Sequence, residues 1–274
     1  MKKFADLHIH TYYSDGTFSP QEVVTDALKM HLDCVSITDH DIVDGIAETQ
    51  TFAKSLGLEV VPGIEMSSEM EGADIHVLGY FFDTQDTTLT NVLSQMQNGR
   101  VQRMVMMIEK LKGQGINNIT LEEVIGVTKT KAVGRPHLAA VLKDKKWVST
   151  IKEAFDQYIG EGGPAYVGKF KQTPYEAIQL IRKAGGVAVM AHPMVTAKDE
   201  LIPRMVEAGL QGLEVYYPNY SSSIIQYYEG LAQKYGLVTT GGSDAHGTRK
   251  PNSYIGKVKL PYEHVLALKA LQGR

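Results

Sequence analysis

Cysteine is almost missing from this sequence: Cys34 is the only one in 274 residues. A single thiol excludes an internal disulfide and any thiolate-rich zinc site. Cys34 sits in the apolar run Cys34-Val35-Ser36-Ile37, where a small buried thiol serves packing. So little cysteine fits a reducing compartment. Also missing is any run of about 18 apolar residues, the length a membrane helix needs. The first residues, Met-Lys-Lys-Phe-Ala-Asp, reach charge at once and lack a signal-peptide apolar region. A cytoplasmic protein without a membrane partner is therefore expected. Neither G-x-G-x-x-G nor G-x-x-x-x-G-K-[ST] occurs, so the usual nucleotide loops are absent. There is no fixed-period repeat, heptad run or low-complexity tract. With Lys+Arg 28 against Asp+Glu 31, the net charge is −3. No broad basic surface advertises nucleic acid, although a local positive site stays open.

What is present is ordinary in bulk and unusual in arrangement. The chain is 43% hydrophobic and 22% charged, as expected for one large globular domain or a domain carrying an insertion. A unit recurs along it: helix, glycine, apolar strand, polar tip. Ser19-Pro20-Gln21-Glu22 and Thr173-Pro174-Tyr175-Glu176 are two capping boxes of one design. Strands are expected in the apolar run Phe4–Leu7 leading to His8-Ile9-His10, in Cys34–His40, Leu58–Glu65, Ala73–Phe82, Val187–His192, Gly212–Tyr217 and Leu237–Gly241. Their alternation with helices implies an α/β fold, mostly parallel, as a small barrel or an open doubly wound sheet. Residues from about 84 to 165 show helical periodicity and no strand, and read as a helical insertion, or cap subdomain. Residues 1–83 and 166–274 then form the main domain. Met96, Met104, Met106 and Met107 in the insertion read as packing residues.

The polar tips share one chemistry. His8-Ile9-His10 places two imidazoles on one face of a strand, since side chains alternate with period two. Alone, the pair fits either a metal half-site or two buried, hydrogen-bonded histidines. But His40, Glu65, His192, Asp244 and His246 also fall at or just past strand C-termini, the edge where α/β folds build their sites. Asp244-Ala245-His246 repeats the first spacing. Asp15 joins from the first loop, and His76 joins if its strand runs beside the mouth. The set uses six of the nine histidines. Nine donors are too many for one ion, which takes about three to four protein ligands. Imidazole with carboxylate and no sulfur suits Zn, Mn or Fe. Three divalent ions would bring about six positive charges against three carboxylates, so the mouth would attract anions such as phosphates. Metal-activated hydroxide attack on a phosphate ester is the chemistry such a cluster suggests.

These residues resemble the PHP (polymerase and histidinol phosphatase) metal-dependent phosphoesterases. The resemblance rests on His8-Ile9-His10, Ser14-Asp15-Gly16, Thr38-Asp39-His40-Asp41, Gly63-Ile64-Glu65, His76, Ala191-His192-Pro193 and Ser243-Asp244-Ala245-His246. It implies a distorted (β/α)7 TIM-like barrel with two to three divalent ions (Mn, Zn or Fe). By that resemblance His8, His10, Glu65 and Asp244 hold the first ion. Glu65, His76 and His192 hold the second, and Asp15, His40 and His246 the third. Asp15 stands where the histidinol-phosphatase branch carries histidine. The aspartate, the insertion and Gly134-Arg135-Pro136-His137 look more like the branch that removes the 3′-phosphate of nucleoside 3′,5′-bisphosphates. Relatives there also trim short RNA from its 5′ end. The resemblance thus implies a small phosphorylated substrate, with AMP or phosphate as bound product. The alternatives are a phosphatase of another metabolite such as histidinol phosphate, or a PHP module that binds metal or phosphate without turnover.

Around this set the roles are less defined. Arg135 offers a planar fork for a phosphate away from the metals. His137 assists it or protonates a leaving oxygen. The plain alternative is that Arg-Pro-His opens a helix and packs the insertion. Lys169 and Lys171 add positive charge or are merely solvated. Asp39 and Asp41 are read as orienters of His40 or loop caps. Tyr12, Tyr13, Tyr216 and Tyr217 stack a base at the mouth or pack its rim. His31 and His264 fall in expected helices without chemistry.

Overall fold

A computed structural model describes residues 2–128, 132–168, 172–250 and 252–272; Lys169 and Lys171 lie outside these. The first half of the chain forms β1 (Phe4–Ile9), α1 (Pro20–Lys29), β2 (Cys34–Ile37), α2 (Asp44–Lys54), β3 (Glu59–Met70) and β4 (Ala73–Tyr80). Four helices follow: α3 (Thr87–Gly113), α4 (Leu121–Thr128), α5 (Arg135–Asp144) and α6 (Ile151–Ala154), the last running on as a π turn over Phe155–Ile159. Then come α7 (Pro174–Lys183), β5 (Val187–Met190), α8 (Pro193–Thr196), α9 (Ile202–Glu207), β6 (Gly212–Tyr216), α10 (Ser222–Tyr235), β7 (Val238–Gly241), β8 (Leu260–Pro261) and α11 (Glu263–Lys269). Both capping boxes form: Ser19 and Glu22 exchange backbone bonds at α1, as Thr173 and Glu176 do at α7. Each helix buries one apolar stripe, Val23, Val24 and Ala27 in α1 and Ala177, Ile178 and Ile181 in α7.

The strands make one sheet in the order β7-β6-β5-β4-β3-β2-β1-β8. Its ends nearly meet. Ile9 bridges Ala245, just past β7, and the His10 N–H donates to the Ala245 carbonyl at 3.0 Å. The result is an almost closed, distorted α/β barrel of the TIM-like kind. The parallel rhythm breaks once. β4 runs antiparallel to both β3 and β5. Glu71 (φ 53°) and Gly72 (φ 76°) form a two-residue turn between paired Met70 and Ala73. Two left-handed residues suit a tight hairpin and leave no room for a crossover helix. This reversal carries His76, early in β4, to the rim where the parallel strands end. The short β8 lies against the start of β1 in a stretch whose sequence reads as the start of a helix; α11 begins two residues later. His31 falls past the end of α1, left-handed at φ 56°, rather than inside a helix.

Among the described residues the buried apolar side chains form three clusters. The largest joins the sheet to α1, α2, α7, α9 and α10. A smaller one combines Leu7, Cys34, Leu78 and Tyr80 with Val265 and Leu268 of α11. A third lies among α3–α6 and includes Met104, Met107, Leu111, Leu138 and Leu142. Helix α3 serves two clusters, with Leu89, Leu93 and Met96 in the first and Met104 onward in the third. Among the described residues no helix is long and apolar enough to cross a membrane.

Candidate metal centre

One rim of the barrel gathers all nine candidate donor residues. Alternation along β1 turns Asp6, His8 and His10 to one face. Asp15 arrives in the turn after β1, His40 just past β2, Glu65 from β3 and His76 from β4. His192 follows β5, and Asp244 and His246 follow β7. Glu65 is the hub. Its Oε2 lies 3.2 Å from His8 Nε2, 3.1 Å from His10 Nε2 and 3.3 Å from His40 Nδ1. Its Oε1 lies 2.8 Å from His76 Nδ1 and 3.1 Å from His192 Nε2. Asp244 Oδ1 stands 3.3 Å from His10 and 3.4 Å from His246. Asp15 Oδ1 stands 3.3 Å from His246 Nε2 and 3.6 Å from His10 Nδ1. The cluster is buried, with Glu65 only 1% exposed and His8 and His10 fully enclosed. Two of its members sit in strained backbone, His192 at φ 26° and Asp244 at φ 48°. Such strain persists only where the surroundings over-determine it.

The charges are opposed and crowded. Burial alone would depress the His10 imidazolium, but Asp244, Glu65 and Asp15 outweigh it and raise its pKa to about 10. His8 is raised in the same way by Glu214, Glu65 and Asp244. Burial wins at His40, whose pKa falls to about 3. Burial likewise opposes ionisation of Asp15, Glu65 and Asp244, yet the surrounding histidines hold all three well below the usual carboxylate range.

The donor set fits divalent cations. His10 Nδ1, Asp15 Oδ1, His40 Nδ1, His76 Nε2 and His192 Nδ1 are buried without a hydrogen-bond partner among the described residues. Buried polar atoms are seldom left so, and a cluster of them at a site calls for a missing partner. Among the described residues, three groups have donor atoms within 4.8 Å of one another: His8, His10 and Glu65; His40, Glu65 and His76; His10, Asp15, His40 and His246. The last adds His10 to the trio expected from family resemblance. The second holds His40 where that expectation has His192.

A second layer of residues fixes these donors. Glu214 is fully buried in β6, with Oε1 2.8 Å from His8 Nδ1 and Oε2 accepting the His192 N–H at 2.8 Å. Asp39 takes the Thr11 N–H and hydroxyl at 2.7 and 2.6 Å and the Ser14 hydroxyl at 2.5 Å, tying down the loop that carries Asp15. Asp6, its pKa pushed up to about 6 by burial, takes the N–H groups of Ser243 and Gly256. The Tyr217 hydroxyl donates to Asp244 Oδ2 at 2.5 Å, beside a contact from Lys250 Nζ. Tyr12 and Tyr13 lie away from the opening, where Tyr13 donates to Glu48. Tyr216 likewise turns aside to Glu229. His264 bonds Thr239 and has no place in the site.

Two lobes open from the cluster. One, about 410 Å³, is lined by Ile151, Phe155, Val195, Tyr217, Arg249 and Lys250 besides the donors. The other, about 240 Å³, is lined by Arg100, Arg103 and Arg135 with Ser67 and Asp74. Asp15, His40, His76, Pro136 and Phe155 border both. Arg135 lies against the rings of Phe155 and Tyr166, each 5.5 Å away, and Asp74 stands off at 3.9 Å. His137 is fully buried behind it. Its Nδ1 accepts the Gly134 N–H at 2.9 Å, which leaves the ring proton on Nε2, and burial drops its pKa to about 3.

Known proteins share this arrangement. Residues 6–184 match the family model described as PHP domain. The chain belongs to the PHP domain family. It is 33% identical over 252 residues to a Haemophilus influenzae protein named 5′-3′ exoribonuclease, covering 90% of this chain and 91% of that one. It is 29% identical over 256 residues to the Chromobacterium violaceum protein named 3′,5′-nucleoside bisphosphate phosphatase, covering 92% and 90%. A solved structure from Bifidobacterium adolescentis, described as a candidate metal-dependent phosphoesterase, superposes with a TM-score of 0.89 at 29% identity, covering 98% and 96%.

Some residues of this PHP site escape sequence reasoning. Glu214 sits inside an apolar strand, and a lone buried carboxylate in Gly-Leu-Glu-Val-Tyr is the one available signal. Arg100 and Arg103 hide in a long polar helix, where surface charge is the rule. Arg249 and Lys250 follow His246 at the end of a single 3-10 turn (Gly247–Arg249), too short for periodicity to place them.

Proposed function

We propose that this PHP protein is a metal-dependent phosphoesterase that removes the 3′-phosphate of nucleoside 3′,5′-bisphosphates. One observation carries the reading: an arginine-lined lobe adjoins the nine-residue histidine–carboxylate cluster, with Asp15, His40 and His76 in the lining of both cavities. A monophosphate needs one anion site. A bisphosphate needs two, and here the arginine-lined lobe adds a second beside the donor cluster, sharing only Asp15, His40 and His76 with it. Divalent ions bound by His8, His10, Asp15, His40, Glu65, His76, His192, Asp244 and His246 would supply charge to the phosphoryl oxygens and acidity to an attacking water.

The chain's own groups do the rest. Arg135 clamps the non-reacting phosphate with its planar fork. Phe155 and Tyr166 hold that fork in place. His137 assists by fixing the Gly134–Arg135 turn. With its pKa near 3 it is uncharged at neutral pH, which favours this supporting role over proton donation. Ile151, Phe155 and Tyr217 give the nucleoside an apolar shelf in the larger lobe. Residues 84–165 act in this reading as a cap over the barrel mouth, and the enzyme works in the cytoplasm on a nucleotide pool. Two to three ions of Mn, Zn or Fe suit the donor chemistry. AMP and phosphate are the products of the adenosine substrate. A second substrate, the 5′ end of short RNA, is favoured by the open larger lobe and by the name of the Haemophilus relative.

Hydrolysis of a nucleoside 3′,5′-bisphosphate, 5′-phosphorylated short RNA and histidinol phosphate, assayed with metal content on one preparation, tests the reading. Turnover of the bisphosphate far above histidinol phosphate is expected. Preference for histidinol phosphate, or binding without turnover, would overturn it.

A further inference from the structure

We propose that Arg100 is a positioning residue that ties the arginine lobe to the His40–Glu65 edge of the donor cluster, so that holding a phosphate and holding a metal are coupled. The inference rests on the phosphoesterase reading of the mouth. Its geometry is specific to one guanidinium. Arg100 Nε donates to Asp41 Oδ2 at 3.0 Å, and Nη2 donates to the same oxygen and, at 2.8 Å, to Ser67 Oγ. Asp41 immediately follows His40, is fully buried and is left-handed at φ 55°. Its other carboxylate oxygen accepts the Ser67 N–H at 2.7 Å, and its own N–H donates to the Glu65 carbonyl at 3.1 Å. Gln97, one helical turn before Arg100, donates to the Asp41 carbonyl at 3.2 Å. Helix α3 therefore clips the residue that joins His40 to the Glu65 strand. The remaining edge of the same guanidinium looks the other way. Nη1 lies 3.8 Å from where a Cβ on Gly134 would stand, at the opening of α5 in the arginine lobe.

Arg103 is a built-in contrast. It lines the same lobe from the same face of α3, since residues three apart are helix neighbours. It is 8% exposed, and its Nη2 has no hydrogen-bond partner among the described residues. Its Nε donates to the Val167 carbonyl, away from Asp41. Arg100, Arg103 and Arg135 crowd together, and burial with these like charges lowers the Arg103 pKa to about 10. A buried donor left over among three cations calls for an anion. An anion reaching Nη1 of Arg100 fixes its plane and, through Asp41, the His40 loop. Coupling of this kind is reciprocal, so metal at His40 strengthens phosphate binding by the same factor.

The test compares Arg100→Ala, Arg100→Lys, Arg103→Ala and Asp41→Asn with the wild-type chain. The readouts are Mn²⁺ retained per chain against a limiting chelator, and kcat and KM on adenosine 3′,5′-bisphosphate, with a thermal melt for each variant. Arg103→Ala should raise KM roughly tenfold, the worth of a charged hydrogen bond, and retain Mn²⁺ like wild type. Arg100→Ala should raise KM and also lose about one metal equivalent. Arg100→Lys should recover the metal, because an ammonium still pairs with Asp41, and keep the raised KM, because it has no second edge. Asp41→Asn should lose metal as Arg100→Ala does, and it decides the matter if Arg100→Ala fails to fold. Full Mn²⁺ retention in both Arg100→Ala and Asp41→Asn, or matching behaviour of Arg100→Ala and Arg103→Ala, would overturn the coupling. A wild-type chain that retains no metal would instead overturn the phosphoesterase reading beneath it.

Discussion

The two walls of the mouth are built on different rules. On the barrel wall, donors arrive from the ends of strands scattered along the chain, from His8 to His246, and each touches at least one other. On the helical wall, cations arrive close together in sequence, as Arg100 and Arg103 on α3 and Arg135 at the start of α5. The barrel wall concentrates lone pairs and needs cations. The helical wall concentrates guanidinium groups and needs anions. A phosphorylated substrate held between metal ions and arginines would satisfy both. Strand ends supply the rigidity that metal ligation requires, whereas a helix supplies charge with little constraint from the sheet.

The largest break in this comparison comes from the hub. Glu65→Ala removes a carboxylate from five histidines, and His10→Ala or Asp244→Ala each removes a shared donor. All three should lose bound metal and hydrolysis together, by more than the roughly 100-fold ceiling of supporting-residue changes. Metal analysis with kinetics on each variant checks this; unchanged metal with full activity would remove that residue from the site. Glu214→Gln acts one step behind, through His8 and the His192 backbone. It should weaken metal affinity about 10- to 100-fold, read by competition with a chelator.

Proton release separates two histidines within the barrel wall. In the metal-free protein His10, raised to about 10, carries a proton at neutral pH. Ligation requires the neutral ring, so metal and proton compete below that pKa, and metal affinity should rise with pH towards about 10. His40, already neutral because burial holds its pKa near 3, releases none. Metal titration by calorimetry at neutral pH in buffers of different ionisation heat should show net proton release. A heat independent of buffer would contradict the assignment.

A smaller effect tests the helical wall. Arg135→Ala should raise KM for bisphosphates about tenfold and alter kcat less, since its contact is equal in ground and transition states. Equal kinetics for wild type and variant would take Arg135 out of the site. Smallest of all, Cys34 should resist thiol reagents in the native protein. It is fully buried, and burial pushes its thiol pKa up, so labelling with a maleimide should appear only on unfolding.

The barrel wall was legible in sequence because its rule is short-range. Period-two spacing pairs His8 with His10, and the recurrence of polar tips after apolar runs marks the rim. The reversal at Glu71-Gly72 was less legible. His76 reads there only on the condition that its strand borders the mouth, and that depends on a hairpin whose turn is Glu-Gly rather than the usual Asn-Gly. Glu214 was hidden because a buried carboxylate within a strand looks like any other strand residue until its partners are seen. Arg100 and Arg103 were hidden for the opposite reason, since charges on a long helix are commonplace. Arg135 stood out through Gly-Arg-Pro-His, a helix start with fixed geometry, whereas the partners of Arg100, Asp41 and Ser67, lie over thirty residues upstream.

The most direct test is the rate of adenosine 3′,5′-bisphosphate hydrolysis by the chain stripped with chelator, before and after Mn²⁺ is restored. Hydrolysis should vanish with the metal and return as about two to three equivalents rebind. Full turnover by the stripped chain would contradict this.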